Sequence, residues 1–203
     1  MSQTPTAPAP AARVPGAHIA DPAPLGLAGF ALTTFVLSMV NSNIIPDTLV
    51  GGALGAALGY GGIAQFAAGL WEFAKGNTFG ATAFCSYGGF WISFWWLAEK
   101  DLGNLGPDAY KVVGAYLLAW AIFTGYMTVA AMKVNMAVLA VFVLLTITFL
   151  VLAIGWFDKE SKGWIHFGGY LGLATALVAW YASFAGVTAY TWGRQVLPVG
   201  APK

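Results

Sequence analysis

Six long runs without a charged residue divide this sequence, and they constrain its fold more than any other feature. They cover residues 22–46, 48–71, 76–98, 112–132, 134–157 and 163–193. Each run has at least 21 residues, and a helix needs about 20 apolar residues to cross the hydrocarbon core of a bilayer. Only 8% of the residues are charged, against about 25% in an ordinary soluble domain. The sequence therefore predicts an all-α membrane protein with six transmembrane helices.

Local signals predict where these helices begin and end. Asp21 is a good N-cap for a first helix over 24–45, and Pro46 ends it, since the residue before a proline disfavours the α region. The other predicted helices are 48–74, 77 or 78 to 98, 109–131, 136–156 and 163–190. Short connections make consecutive helices antiparallel neighbours.

The domain organisation predicted from these limits is simple. Residues 1–20 hold four prolines and no apolar core, so they are expected to form a disordered tail. Residues 21–192 form the membrane domain, and 193–203 form a short C-terminal tail. Six spans place both termini on one side, and five Lys and Arg on that side against four on the other favour cytoplasmic termini.

Composition argues against several classes of function. The net charge of +1 offers no basic patch for nucleic acid. The single cysteine, Cys85, excludes an internal disulfide, and two dispersed histidines suit neither a metal site nor a catalytic triad. Glu72 falls near a span end, where its charged head is expected to reach the interface. We therefore expect no cofactor, no metal and no enzymatic activity.

Uncharged polar side chains recur at helical spacing inside the predicted spans. The first helix carries on one stripe Phe30, Thr33, Thr34, Leu37 and Asn41. The third carries Thr82, Ser86, Gly89 and Ser93, with Tyr87 about 100° round from Ser86. Gln65 lies deep in the second helix, where its amide either makes an interhelical hydrogen bond or faces water. Together these groups predict a wet path without fixed charge, suited to a small solute that is neutral or singly charged.

Small residues also recur four apart and form ridges on two helices. One ridge is Gly51, Gly55 and Gly59, and the other is Gly168, Gly172 and Ala176. Such ridges let helix backbones approach closely in lipid. They predict tight helix packing.

Three segments resemble the acetate uptake transporter family. They are DPAPLGLAGF at 21–30, YGGIAQFAAGLWEFAKGNTFGATAFCSYGGFW at 60–91 and GRQVLPVG at 193–200. The family includes bacterial succinate–acetate permeases and yeast ammonia-production and acetate proteins. The resemblance implies a homohexamer in the cell membrane, in contact with lipid, whose six-helix protomers each surround a central pore. It further implies passage of acetate and related small monocarboxylates, in some cases succinate, by a channel or a proton-coupled carrier.

The resemblance also implies a hydrophobic constriction made by Phe30, Tyr87 and Leu145. The family's first motif usually begins with Asn where this chain has Asp21, whose negative charge at a vestibule would repel an anion. Asn77 and Thr78 are expected to start the third helix, where amide groups carry partial positive charge and attract a carboxylate. The expected substrate path comprises Thr33, Thr34, Asn41, Gln65, Asn77, Thr78, Thr82 and Ser86.

Other functions remain open from the sequence. The same neutral lining would suit another small solute, such as ammonia or urea. A membrane sensor or scaffold without transport is a third alternative, although no sizeable soluble domain accompanies the spans.

Overall fold

The structure is a computed structural model that describes residues 19–200, and these residues form six long helices. The helices are α1 Ala23–Asn41, α2 Asp47–Lys75, α3 Thr78–Trp96, α4 Ala109–Ala131, α5 Met136–Phe157 and α6 Lys162–Thr191. Five segments are long and apolar enough to cross a membrane, and the 19-residue α3 packs among them. The predicted all-helical membrane fold is confirmed. The predicted tail over 1–20 lies outside the described residues except for its last two positions.

The first helix ends earlier than predicted. The N-cap is Pro22 and not Asp21 as predicted, although Oδ1 of Asp21 accepts a hydrogen bond of 3.1 Å from the backbone N–H of Ala23. The predicted end at 45 is wrong by four residues, since α1 stops at Asn41. Asn43 has a left-handed backbone with φ of 60°, a conformation that commonly ends helices. Residues 42–46 therefore form a loop before α2 begins.

A widened turn lies in the middle of α2. Residues Ala57–Ala64 have π-helical hydrogen bonding, a local feature often found at functional sites. A side chain at Gly61 would meet the side chain of Thr33 at 2.6–2.9 Å. The hydroxyl of Thr33 donates a 3.2 Å hydrogen bond to the carbonyl oxygen of Ala56. The absence of a Cβ at Gly61 thus lets α2 lie directly against α1.

The turn between α2 and α3 holds a buried carboxyl group. Asn77 caps α3 as predicted, because its Oδ1 accepts a 3.1 Å hydrogen bond from the N–H of Gly80. Its Nδ2 donates a 2.9 Å hydrogen bond to Oε2 of Glu72. Glu72 is 0% exposed, so the expectation that its head reaches the interface is wrong. The physical reason is the bare Gly80, where a Cβ would lie 2.8 Å from the Glu72 carboxyl carbon.

The six helices form a closed ring around the central axis of the bundle. Consecutive helices pack against one another, and α6 packs extensively against α1 to close the ring. The α6 ridge serves this packing, since side chains added at Gly168 and Gly172 would run into Leu152 and Ser38. The ridge Gly51, Gly55 and Gly59 instead faces outward, with no atom within 4 Å of any added Cβ.

The segment 193–200 is not helical and lies against the membrane domain. The N–H of Ala137 donates a 3.0 Å hydrogen bond to the carbonyl oxygen of Val199. The hydroxyl of Tyr181 donates one of 2.6 Å to the carbonyl oxygen of Pro198. The C-terminal segment therefore holds the start of α5 and one face of α6.

Candidate functional site

A cavity of about 410 Å³ lies inside the helix ring. Its lining runs from exposed Asp47 and Lys162 at one end to buried Phe30 and Leu145 at the other. Most of its walls are aliphatic and aromatic. The uncharged polar residues of the lining include Thr34, Ser38, Asn41, Tyr116 and Thr148, with Asn43 and Thr48 close to Asp47. The cavity is thus a vestibule with a charged mouth and an apolar floor.

The three residues expected to form a constriction come together at that floor. Phe30, Tyr87 and Leu145 are 4%, 3% and 4% exposed and belong to one apolar cluster. The ring centroids of Phe30 and Tyr87 are 5.8 Å apart. Phe123 and Phe142 pack around Tyr87 at 5.5 and 6.0 Å between centroids. Tyr87 therefore points to the centre of the ring of helices, and this layer of side chains closes the cavity.

The Tyr87 hydroxyl is fixed within this layer. It lies 3.0 Å from Oγ1 of Thr124, which itself donates a 2.7 Å hydrogen bond to the carbonyl oxygen of Trp120. Since a threonine hydroxyl has one proton, the Tyr87 O–H is the donor to Thr124. The Tyr87 ring is thus positioned by neutral hydrogen bonds.

Only some of the polar residues predicted to line the path lie on the cavity wall. Thr34 and Asn41 line the cavity. Thr33 is fully buried but faces α2, where its hydroxyl is bonded to the backbone. Thr82 and Ser86 are half-buried and lie outside the cavity lining, because α3 turns Ala83, Tyr87, Phe90 and Trp91 toward the centre.

The cavity wall does not include Gln65, Asn77 or Thr78. Gln65 is 1% exposed and faces α1, with its Cβ 3.5 Å from the position of a Cβ at Gly29. Asn77 and Thr78 start α3 at the end of the bundle away from the cavity mouth, and Thr78 is exposed. These three predicted path residues therefore do not line the cavity.

Sequence reasoning missed several residues of the cavity, among them Trp91 and Ser38, which line its interior. A signal existed for both, because Trp91 follows Tyr87 by four residues and Ser38 follows Thr34 by four, which keeps each on the same helix face.

The charges of the site are confined to its mouth. Nζ of Lys162 lies 2.6 Å from Oδ2 of Asp47, and both side chains are exposed. Glu160 and His166 stand at the same end. Inward of them, the part of the lining within residues 19–200 has no charged side chain. No cluster of His, Cys, Asp and Glu suited to a metal ion occurs in the described region.

Comparisons with known proteins give a consistent result. A model described as the GPR1/FUN34/yaaH family matches residues 3–199. The "Ammonia transport outward protein 2" of Saccharomyces cerevisiae is 47% identical over 184 residues, which is 87% of this chain and 64% of that protein. The "Succinate-acetate/proton symporter SatP" of Escherichia coli K12 is 41% identical over 186 residues, covering 90% and 96% of the two chains.

A solved structure is also similar. The structure described as the bacterial acetate channel SatP has a TM-score of 0.84 and 40% sequence identity, covering 90% of this chain and 99% of that one. This chain spans slightly less than two thirds of the length of the yeast relative but nearly the whole of the bacterial ones.

Proposed function

Since the chain belongs to the GPR1/FUN34/yaaH family, we propose that it forms a membrane pathway for acetate and related small monocarboxylates, with succinate as a further substrate. The observation that carries the proposal is the cavity that narrows from the Asp47–Lys162 mouth to the layer of Phe30, Tyr87 and Leu145. The protein conducts a solute and does not transform it. The relatives named for acetate and succinate transport support this function.

The charge distribution of the cavity fits a small monovalent anion. At the mouth a carboxylate can pair with Lys162, which stands beside Asp47 and Glu160, and further inward it meets only uncharged polar groups and apolar walls. Conduction requires binding strong enough for the solute to enter and weak enough for it to leave. An interior without fixed charge meets the second condition, and the apolar constriction limits the size of the solute.

The assembly proposed is a homohexamer in which each protomer has its own path. Support comes from the outward glycine ridge Gly51, Gly55 and Gly59, which none of residues 19–200 covers. Small residues on an outer helix face allow close approach of a neighbouring subunit in lipid. The remaining exposed apolar side chains, such as Ile122, Val129 and Leu150, would contact lipid. We place the chain in the plasma or inner membrane with cytoplasmic termini.

A second candidate solute is ammonia. The name of the yeast relative motivates it, and the neutral lining suits it as well as it suits acetate. The two functions differ in the charge of the solute, because acetate is an anion and ammonia is neutral, so only the carboxylate can pair with Lys162 at the mouth.

Uptake of radiolabelled acetate into liposomes containing the purified chain tests the proposal. We expect saturable uptake above that of empty liposomes, reduced by unlabelled propionate and not by ammonium or urea at the same concentration. Reduction by ammonium or urea instead would favour the second candidate. Uptake equal to that of empty liposomes would refute the acetate function.

A further inference from the structure

Two residues that line the cavity hold polar atoms without a hydrogen-bond partner. The atoms are Oγ1 of Thr34 and Nε1 of Trp91. The two residues are 6% and 2% exposed. Buried polar groups are nearly always hydrogen-bonded in folded proteins, because leaving one unpaired costs free energy. Two such atoms beside one cavity therefore indicate a ligand that pairs with them.

The two residues lie at the same depth in the molecule. The rings of Phe30 and Tyr87 are in contact, and α1 and α3 run in the same direction because one helix separates them in the chain. Thr34 follows Phe30 by four residues and Trp91 follows Tyr87 by four, a rise of about 6 Å along each helix. Thr34 and Trp91 thus form the layer next to the constriction on the cavity side.

Thr34 differs from the other buried threonines of the described chain. Each of the others donates its hydroxyl proton to a backbone carbonyl at 2.7–3.2 Å, namely Thr33, Thr124, Thr148, Thr175 and Thr188. A hydrogen bond to a backbone carbonyl oxygen is the usual one for the hydroxyl of a threonine in a helix. The hydroxyl of Thr34 makes no such bond, so its proton is available to another acceptor.

We infer that the Thr34 O–H and the Trp91 N–H bind the carboxylate group of a substrate held against the constriction. The inference rests on the proposed function. An indole N–H only donates, a threonine hydroxyl can donate, and a carboxylate offers two accepting oxygens. The methyl group of acetate then packs toward Phe30 and Leu145, which are apolar. Neighbouring side chains cover both polar atoms in this closed conformation, so the bonds form as the constriction widens and they stabilise that widened state.

Acetate binding to purified variants tests the inference. The melting temperature of the detergent-solubilised chain is followed against sodium acetate, with acetamide as an uncharged compound of similar size. We expect Thr34→Val and Trp91→Phe each to raise the half-saturating acetate concentration about tenfold or more, the loss of a hydrogen bond to a charged group. The matched control Thr188→Val, a buried threonine away from the cavity, should leave it unchanged.

The melting temperature without acetate separates a binding role from a structural one. Because the Thr34 hydroxyl has no partner, Thr34→Val should melt no lower than the unaltered chain. A lower melting temperature with unchanged acetate binding would show a structural partner and overturn the inference. Acetamide binding as strong as acetate binding would overturn it as well. If Trp91→Phe does not fold, Thr34→Val decides alone.

Failure of this site is distinguishable from failure of the proposed function. An unaltered chain that takes up acetate in liposomes, with both variants binding acetate normally, refutes the carboxylate site alone. An unaltered chain that takes up no acetate refutes both.

Discussion

The hydroxyl of Tyr87 donates a 3.0 Å hydrogen bond to Oγ1 of Thr124, and this bond joins α3 to α4 at the level of the constriction. A second link lies nearer the mouth, where the Tyr116 hydroxyl donates to the carbonyl oxygen of Phe90 at 3.0 Å. No hydrophobic effect draws helices together in lipid, so such side-chain bonds and close packing set the distance between helices. The position of the Tyr87 ring, and with it the width of the proposed path, depends on them.

Thr124→Val should destabilise the protein by about 1–3 kcal/mol, because it leaves the Tyr87 O–H buried without an acceptor. Unfolding in detergent measures this change. The double variant Tyr87→Phe with Thr124→Val should recover most of the loss, since both partners of the bond are then gone. If the double variant instead loses the sum of the two single effects, the bond is not the cause.

Leu145→Ala and Phe30→Ala should widen the constriction and let bulkier acids such as lactate pass. Both side chains are buried at the cavity floor, so each change also costs about 2–5 kcal/mol of stability. The measurement is the ratio of lactate to acetate uptake in liposomes, which corrects for the amount of folded protein. Leu150→Ala on the outer face of the same helix, where Leu150 is 41% exposed, is the control. An unchanged ratio in both folded variants would place the constriction elsewhere.

Asp21→Asn should change acetate uptake by less than about twofold and stability by less than about 1 kcal/mol. Asp21 is paired with Lys75 at 2.7 Å on the surface, so its charge is compensated, and Asn keeps the acceptor for the N–H of Ala23. Asp21→Ala, which removes that acceptor, should cost about 1 kcal/mol more. A severalfold rise in uptake by Asp21→Asn would mean that the carboxylate repels the substrate.

Charges at the mouth should act in opposite directions on acetate uptake. Lys162→Gln should slow uptake at low ionic strength, and Asp47→Asn should speed it by freeing Lys162 from their 2.6 Å pair. Both effects should fade at about 1 M salt, where the Debye length falls to about 3 Å. Lys111→Gln, whose lysine pairs with Asp108 outside the cavity lining, is the control. Effects of the same sign, or effects that persist in salt, would contradict this account of the mouth.

The sequence predicted the helices well because their signals are local. The length of a charge-free run, a polar residue such as Asp21 or Asn77 at a helix start, and a turn between spans can each be read from a short stretch of sequence. Five of the six predicted spans end close to the observed helices. The exception is α1, where Pro46 suggested a later end than the one the left-handed Asn43 produces. A proline marks where a helix cannot continue and leaves open an earlier end.

The site was harder to predict because it depends on which helix face turns inward. Periodicity places Thr82 and Ser86 on one stripe of α3 and Ala83 and Tyr87 on the next, and only packing decides between them. The complete burial of Glu72 depends likewise on a glycine eight residues later, Gly80, on another helix. The family resemblance singled out Phe30, Tyr87 and Leu145, which share one buried cluster, whereas the mouth pair Asp47–Lys162 joins distant parts of the chain and required the tertiary structure.

Blocking the cavity tests most directly whether the substrate passes through it. In a Cys85→Ser background, Leu37→Cys places one thiol on the cavity wall, and Leu150→Cys places one on the outer face. Modification of Leu37→Cys by a bulky thiol reagent should reduce acetate uptake at least about tenfold, while complete modification of Leu150→Cys should leave uptake intact. Undiminished uptake after complete modification of Leu37→Cys would contradict a path through the protomer.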